Sequence, residues 1–360
     1  MDRISTKGIS VRFDPQGGVI DDVAIEIDGR TLHPMHRAPW LAPGETLPGD
    51  IAPVERKLAG DFFCAPFGRS GPDTPIHGPA ANGNWGGGAQ SVAAGDAVTA
   101  RYELAEAIHG ARLVKEIILR PGQPIVYQRH VFEGGSGHIP VAHHAMIYVP
   151  GGAALSFSRK AFGRTTTSPL ETDPSRGRSL LKYPQRIESL AQVALADGGM
   201  ADASIYPFAD RHEDFIVLAE AEGARIGWSA ALANKDGFLF FAVKDAVALP
   251  ETLLWMSNGG RDYAPWSGRH LAVLGIEEAA TSFHVNGERA GGSDPLRATG
   301  VELRAEAKSI VRCAFGAILA PQGWTRVSNI AIEGASLTIT DAGGDSRKLG
   351  FDSGFFAGLL

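Results

Sequence analysis

Three parts of the chain concentrate side chains that could hold a polar ligand or move a proton. The first runs from Asp61 to Arg69 and on from Pro75 to Trp85, placing Arg69, His77, Asn82, Asn84 and Trp85 on a segment stiffened by prolines and bent by glycines. Fixed polar groups beside an aromatic face suit a sugar, whose hydroxyls need placed partners and whose C–H face needs an apolar platform. A structural loop in which His and Asn satisfy their own backbone fits the same residues. The second is Trp255–Trp266, where Trp255 and Trp266 could stack on pyranose faces while Asn258 and Arg261 reach hydroxyls or an anionic substituent. Core packing is the other common use of such indoles.

The third part is a pair of doublets, His143-His144 and Glu277-Glu278. Neighbours on a strand point to opposite faces, so one member of each doublet can meet a ligand in a given cleft. Glu277 is expected to end an apolar strand over Leu271–Ile276, where loss of water would raise its pKa and suit it to proton transfer. An exposed strand-end carboxylate is the plain alternative. His144 shares a face with Met146 and Tyr148, His143 with Ala145 and Ile147, and the periodicity does not choose between them. Arg69, Arg159, Lys160, Arg164 and Arg261 lie in or beside these loops on a net acidic chain, which brings an anionic sugar into consideration. Asp262 is placed to neutralise Arg261.

Other chemistries find no support. Two adjacent strand histidines do not chelate, and no H-E-x-x-H or C-x-x-C occurs, so no metal is expected. Gly86-Gly87-Gly88 has no Lys-Ser/Thr after it, and Ser156 and Ser158 lack the context of a nucleophile elbow.

The elements that must position these residues are short strands. Ile9–Phe13, Val23–Ile27, Val98–Leu104, Leu113–Leu119 and Ile125–Phe132 are rich in β-branched and aromatic residues. Later stretches repeat the pattern at Ile139–Val149, Phe215–Leu218, Ala224–Ala230, Gly237–Val243, Leu253–Ser257, Leu271–Ile276, Val301–Leu303, Ile310–Leu319 and Ile330–Ile339. Pro121-Gly122 predicts a hairpin between Leu113–Leu119 and Ile125–Phe132, and Gly134-Gly135-Ser136-Gly137 a return into Ile139–Val149. Ser189–Ala196 and Pro295–Thr299 are the best helix candidates. Long irregular stretches at Met35–Glu55, Gly68–Gln90 and Gly163–Arg178 are the expected binding loops. The fold class is therefore all-β, with two large antiparallel sheets packed face to face and few short helices.

Composition agrees. The 360 residues carry 45 glycines and 22 prolines, enough for many turns. A formal charge of −6 with no basic run argues against nucleic acid as a partner. Cys64 and Cys313 are too few for a disulfide framework. The opening Met1–Gly8 has no apolar core of a leader, and no apolar run reaches the ~18–20 residues of a spanning helix. A cytoplasmic protein without membrane contact is the expectation. No repeat or linker divides the chain, so residues 1–360 are read as one domain.

Pro75-Ile76-His77-Gly78-Pro79 and Trp85, following Pro66-Phe67-Gly68-Arg69, resemble the aldose 1-epimerase (galactose mutarotase-like) superfamily. Pro140 through His143, His144 and Tyr148 lies where that family has a His-bearing strand, and Leu271 through Glu277 where a strand ends in an apolar residue and a Glu. The resemblance covers most of the chain. Of the family's Asn-Arg pair only Gly68-Arg69 remains. Asp210 is the nearest candidate for its substrate-binding Asp.

The resemblance implies a β-supersandwich, a small-molecule carbohydrate as partner, a monomer or homodimer, and anomer interconversion without a cofactor. It implies Glu277 as base, His144 as acid, and His77 as a sugar-hydroxyl donor. Arg69, Trp85, His143, Asp210, Trp255, Asn258 and Arg261 are the remaining expected substrate contacts. Another sugar-active enzyme on the same scaffold, of lyase or glycosidase type, and a non-catalytic carbohydrate-binding protein are the competing readings. Incubation with a pure α-anomer separates the first from the last; unsaturated or new reducing-end products would mark the second.

Overall fold

The computed structural model describes residues 1–69, 71, 74–93, 96–281 and 300–360. Within these, two large antiparallel sheets lie face to face. The seven-stranded sheet runs, edge to edge, Arg186–Ile187, Lys160–Thr165, His212–Glu220, Glu251–Asn258, Val273–Ala280, Val141–Tyr148 and Phe63–Cys64. The nine-stranded sheet has Phe238–Asp245, Lys308–Leu319 and Ile125–Gly134 at its centre. Central strands read as continuous apolar runs because both faces of each sheet are covered: every residue of His212–Glu220, Phe238–Asp245 and Val273–Ala280 is buried.

Residue parity sorts these strands into separate cores. On Val273–Ala280, Leu274, Ile276 and Ala280 face the inter-sheet core with Phe240 and Phe315, whereas Val273 and Ala279 face a second cluster with Phe62, Phe215 and Trp255. A third cluster lies on the outer face of the nine-stranded sheet. There Trp228, Leu239 and Phe241 meet Leu337 of the C-terminal three-stranded sheet, with Trp324 just before that sheet and Phe356 in the short helical turn after it. The second cluster, outside the sandwich on the face of the seven-stranded sheet, is where the chemistry-bearing side chains gather.

Several expectations need correction. The strand expected over Leu271–Ile276 spans Val273–Ala280, so Glu277 and Glu278 lie within it rather than at its end. Gly134–Gly137 does not close a hairpin: Val141–Tyr148 pairs with Val273–Ala280 and Phe63–Cys64, so the glycines carry the chain from one sheet to the other. Ile330–Ile339 is a hairpin of Val327–Glu333 and Ser336–Asp341, turning at Gly334 with φ +56°. Ser189–Ala196 is not a helix. Its carbonyls and amides pair with the neighbouring 180–185 segment, Lys182 N donating to Ala194 O at 2.9 Å and Ala196 N to Leu180 O at 2.9 Å. Tertiary pairing there overrides helix propensity. Pro295–Thr299 lies outside the described residues. The presumed loop Gly68–Gln90 contains a short helix, Gly78–Asn82, and the start of the edge strand Trp85–Val92, whose glycines hid it.

Candidate active site

His144 and Glu277 face each other across neighbouring antiparallel strands, in direct register. The His144 Nε2 stands 3.3 Å from Glu277 Oε1. Both side chains are buried, and His144 Nδ1 and Glu277 Oε2 have no partner. Burial alone pushes the Glu277 carboxyl well above the usual range. Burial likewise lowers the His144 ring to about 4. The two shifts favour a neutral pair sharing one proton: a protonated carboxyl against a free-base imidazole. The strand is anchored locally by His144 N donating to Phe62 O at 2.9 Å, and the Phe62 ring stacks on the imidazole at 4.5 Å.

His77 reaches the same place from the prolyl segment. His77 and Gly78 are both left-handed, at φ +68° and +65°. A Cβ on Gly78 would sit 2.4 Å from Pro66 Cδ and 2.5 Å from Ala65 O, so only glycine fits this close approach. His77 N donates to Gly68 O at 2.7 Å, and its ring lies edge-on to His144 at 5.2 Å. Burial, with His144 and Arg69 adding repulsion, holds the His77 ring well below its ordinary value. Asn82 serves the loop itself: its amide donates to Ile76 O and Gly78 O, and its carbonyl accepts from Val54 N.

The cleft above the pair encloses about 480 Å³ including its mouth. Phe62, Phe67, Phe215, Trp255 and Trp266 give it apolar walls; His77, His144, Glu277, Glu55 and Arg261 supply the polar groups. This mixture of aromatic faces and few convergent polar atoms suits a small polyol. Arg261 arrives from the Gly259–Trp266 loop, with its guanidinium over the Trp266 ring at 4.2 Å and its Nη2 3.0 Å from Glu213 Oε1.

Of the residues expected from sequence, the structure thus brings His77, His144, Trp255, Arg261 and Glu277 together. The others lie elsewhere. His143 sits on the opposite strand face, in the inter-sheet core, with Nδ1 3.6 Å from Asp61 Oδ2 and the ring beside His130. Trp85 is buried under Gly18 and donates its indole N–H to Ala80 O at 2.9 Å, a packing role. Asn258 braces the loop: its amide donates to Ala209 O and its carbonyl accepts from Ala272 N. Asp210 and Arg69 are exposed and do not line the cleft. Lys160 is bound to Glu220 and Arg164 to Glu251, and Arg159 is exposed. Asp262 pairs with Arg178 and Arg211, leaving Glu213 as the counter-ion of Arg261.

Glu213 was not anticipated. Its one sequence signal is that His212-Glu213-Asp214 precedes the apolar run 215–219, which reads as a solvated strand end but is fully buried. Among the described residues, no group of three or more His, Cys, Asp or Glu is placed to hold a metal ion. No helix among them is long and apolar enough to cross a membrane.

No protein-family model and no curated protein matches the sequence. Solved structures do. A proposed aldose 1-epimerase from Escherichia coli K12 superposes with a TM-score of 0.56 at 13% identity, covering 88% of this chain and 98% of that one. A galactose mutarotase-like protein from Clostridium acetobutylicum gives 0.56 at 10% identity, covering 88% and 94%. A galactose mutarotase related enzyme from Lactobacillus acidophilus gives 0.53 at 11% identity, covering 89% and 98%. The chain has the galactose mutarotase-like β-sandwich fold.

Proposed function

We propose that the protein is an aldose 1-epimerase-like isomerase that interconverts the α and β anomers of a sugar. The observation that carries this reading is the cross-strand His144–Glu277 couple, two buried proton-transfer groups 3.3 Å apart at the base of an aromatic cleft. Ring opening needs one group to take the proton of the C1 hydroxyl and another to protonate the ring oxygen as the C1–O5 bond breaks. With the shared proton on His144, Glu277 is the base and His144 the acid; with it on Glu277, the tasks exchange. Burial favours the second distribution.

The open-chain aldehyde then turns about C1–C2. Reclosure returns a proton to O1 from the group that took one, while its partner recovers one from the C5 hydroxyl. The couple ends the turn holding the proton with which it began, so no metal, redox group or cosubstrate is consumed. In this reading Trp255 and Trp266 support the sugar face, and His77 donates to a sugar hydroxyl.

The test is anomer exchange followed by proton NMR or polarimetry after mixing with pure α-D-glucose or α-D-galactose. Approach to the α/β equilibrium faster than in buffer is expected. Sugar binding without any acceleration would rule out the anomerase and favour a carbohydrate-binding protein.

A further inference from the structure

The wall of the cleft that carries Arg261 has an electrostatic construction of its own. Arg261 is the single lysine or arginine that lines the cleft among the described residues, and it is paired with Glu213 at 3.0 Å. That carboxylate is itself pinned. The Trp255 indole N–H also donates to Glu213 Oε1, and the Ser257 hydroxyl donates to Oε2 at 2.8 Å. With its hydroxyl hydrogen directed at Glu213, Ser257 Oγ accepts from His270 Nδ1 at 2.7 Å, so the His270 ring carries a hydrogen on Nδ1. Burial, with His36 and Arg261 adding repulsion, holds His270 well below its ordinary value, consistent with a neutral ring.

Glu213, Ser257 and His270 are at most 2% exposed, so nothing in this chain can swing into water. Two hydrogen-bond donors, Trp255 and Ser257, and the Arg261 guanidinium converge on one buried carboxylate. Arg261 nevertheless lines the cleft with its side chain 14% exposed, so part of the residue still faces the cleft. A sugar hydroxyl can accept from such a group without disturbing the ion pair. A phosphate, sulfonate or carboxylate would have to share the guanidinium with a buried anion and would also meet the Glu55 carboxylate in the cleft lining. Competing out one partner of a buried pair leaves an uncompensated charge, which is a large cost.

Building on the reading of this cleft as an anomerase site, we propose that Glu213 is a specificity-determining residue. It holds Arg261 as a charge-neutralised hydrogen-bond donor and restricts the cleft to uncharged sugars.

The experiment compares D-glucose and D-galactose with D-glucuronate and D-glucose 6-phosphate, by anomer exchange and by titration calorimetry on the full chain. Wild type is expected to favour the neutral sugars by about tenfold or more. Glu213→Gln keeps an acceptor for Trp255 while removing the counter-charge, and should move the neutral-to-anionic ratio toward anions by about tenfold, most strongly at low salt. Equal handling of both classes by wild type, or an unchanged ratio in folded Glu213→Gln, overturns the proposal. Should that variant not fold, Arg261→Gln decides: it leaves Glu213 unopposed and must raise the preference for neutral sugars, and a fall overturns the idea. Selective binding of neutral sugars without anomer exchange sinks the proposed activity but supports this inference. Binding of no sugar sinks both.

Discussion

Glu277 and Glu278 are consecutive, equally buried and on one strand, yet their surroundings make them opposite kinds of group. On the inter-sheet side, Glu278 stands 2.6 Å from Lys244 Nζ and accepts from Ser229 Oγ and from Thr252 Oγ1 at 2.7 Å. Burial works against its charge, but Lys244, Lys160 and these donors outweigh it and hold the carboxyl below its usual range. On the cleft side, Glu277 meets one imidazole and no cation, and burial alone raises it. The difference teaches that burial does not make a carboxylate reactive; burial without compensation does. One face of the strand spends its charges on joining the sheets, and the other leaves a proton available.

The largest expected effect separates these roles in activity. Glu277→Gln removes proton exchange while keeping shape, so kcat for anomer exchange should fall by ~10²–10⁴ while sugar affinity changes little. Stability provides a second readout. A carboxyl whose folded pKa is raised binds more protons folded than unfolded, so its contribution is intact below the unfolded value and is lost as pH climbs toward the folded value. The melting temperature of Glu277→Gln should therefore gain on wild type as pH rises above the ordinary carboxylate range. A gap that is flat with pH would mean that Glu277 is not held protonated.

Glu278→Gln should do the reverse. It strips Lys244 of a buried counter-ion and is expected to cost about 3 kcal/mol of stability, with activity per folded molecule retained. Because the folded pKa of Glu278 is lowered, its stabilising contribution is present above the unfolded value and fades as pH falls through the folded one. The deficit of this variant should shrink in acid, read by chemical denaturation across pH. If both glutamine variants lost stability equally and with the same pH slope, the distinction between the two faces would be wrong.

The sequence carried this contrast part of the way. Strand alternation already separates Glu277 from Glu278 and His144 from His143, and the apolar runs around them announce a sandwich. It did not show which face was the cleft, because that depends on what packs outside the seven-stranded sheet, a long-range matter. Trp85 shows the same limit. Its setting beside asparagines suggests a sugar platform, but Gly18, far away in the chain, lies against its ring and makes it core. Glu213 stayed hidden because its partners Ser257 and Arg261 come from another strand and loop, joined to it only by the register Glu213↔Ser257.

The smallest effect tests the histidine doublet, where the same two faces are compared in one kind of side chain, an imidazole. His143 lies among Asp61, His130 and Phe63 with neither ring nitrogen hydrogen-bonded, the Asp61 oxygen being 3.6 Å away. At that separation it forms no normal hydrogen bond, so its replacement forfeits packing and a weak charge contact rather than a strong one. His143→Gln should accordingly cost about 1 kcal/mol in denaturant unfolding and leave kcat and KM for anomer exchange within about twofold. His144→Gln removes a member of the proton-sharing couple and should lower kcat by ~10² or more at similar stability. The pair of variants isolates direction from composition, since both lose an imidazole from the same strand and gain the same amide. If His143→Gln depressed turnover as much as His144→Gln, proton transfer would have to run through the sheet to Asp61, and the strand would no longer have one structural face and one chemical face.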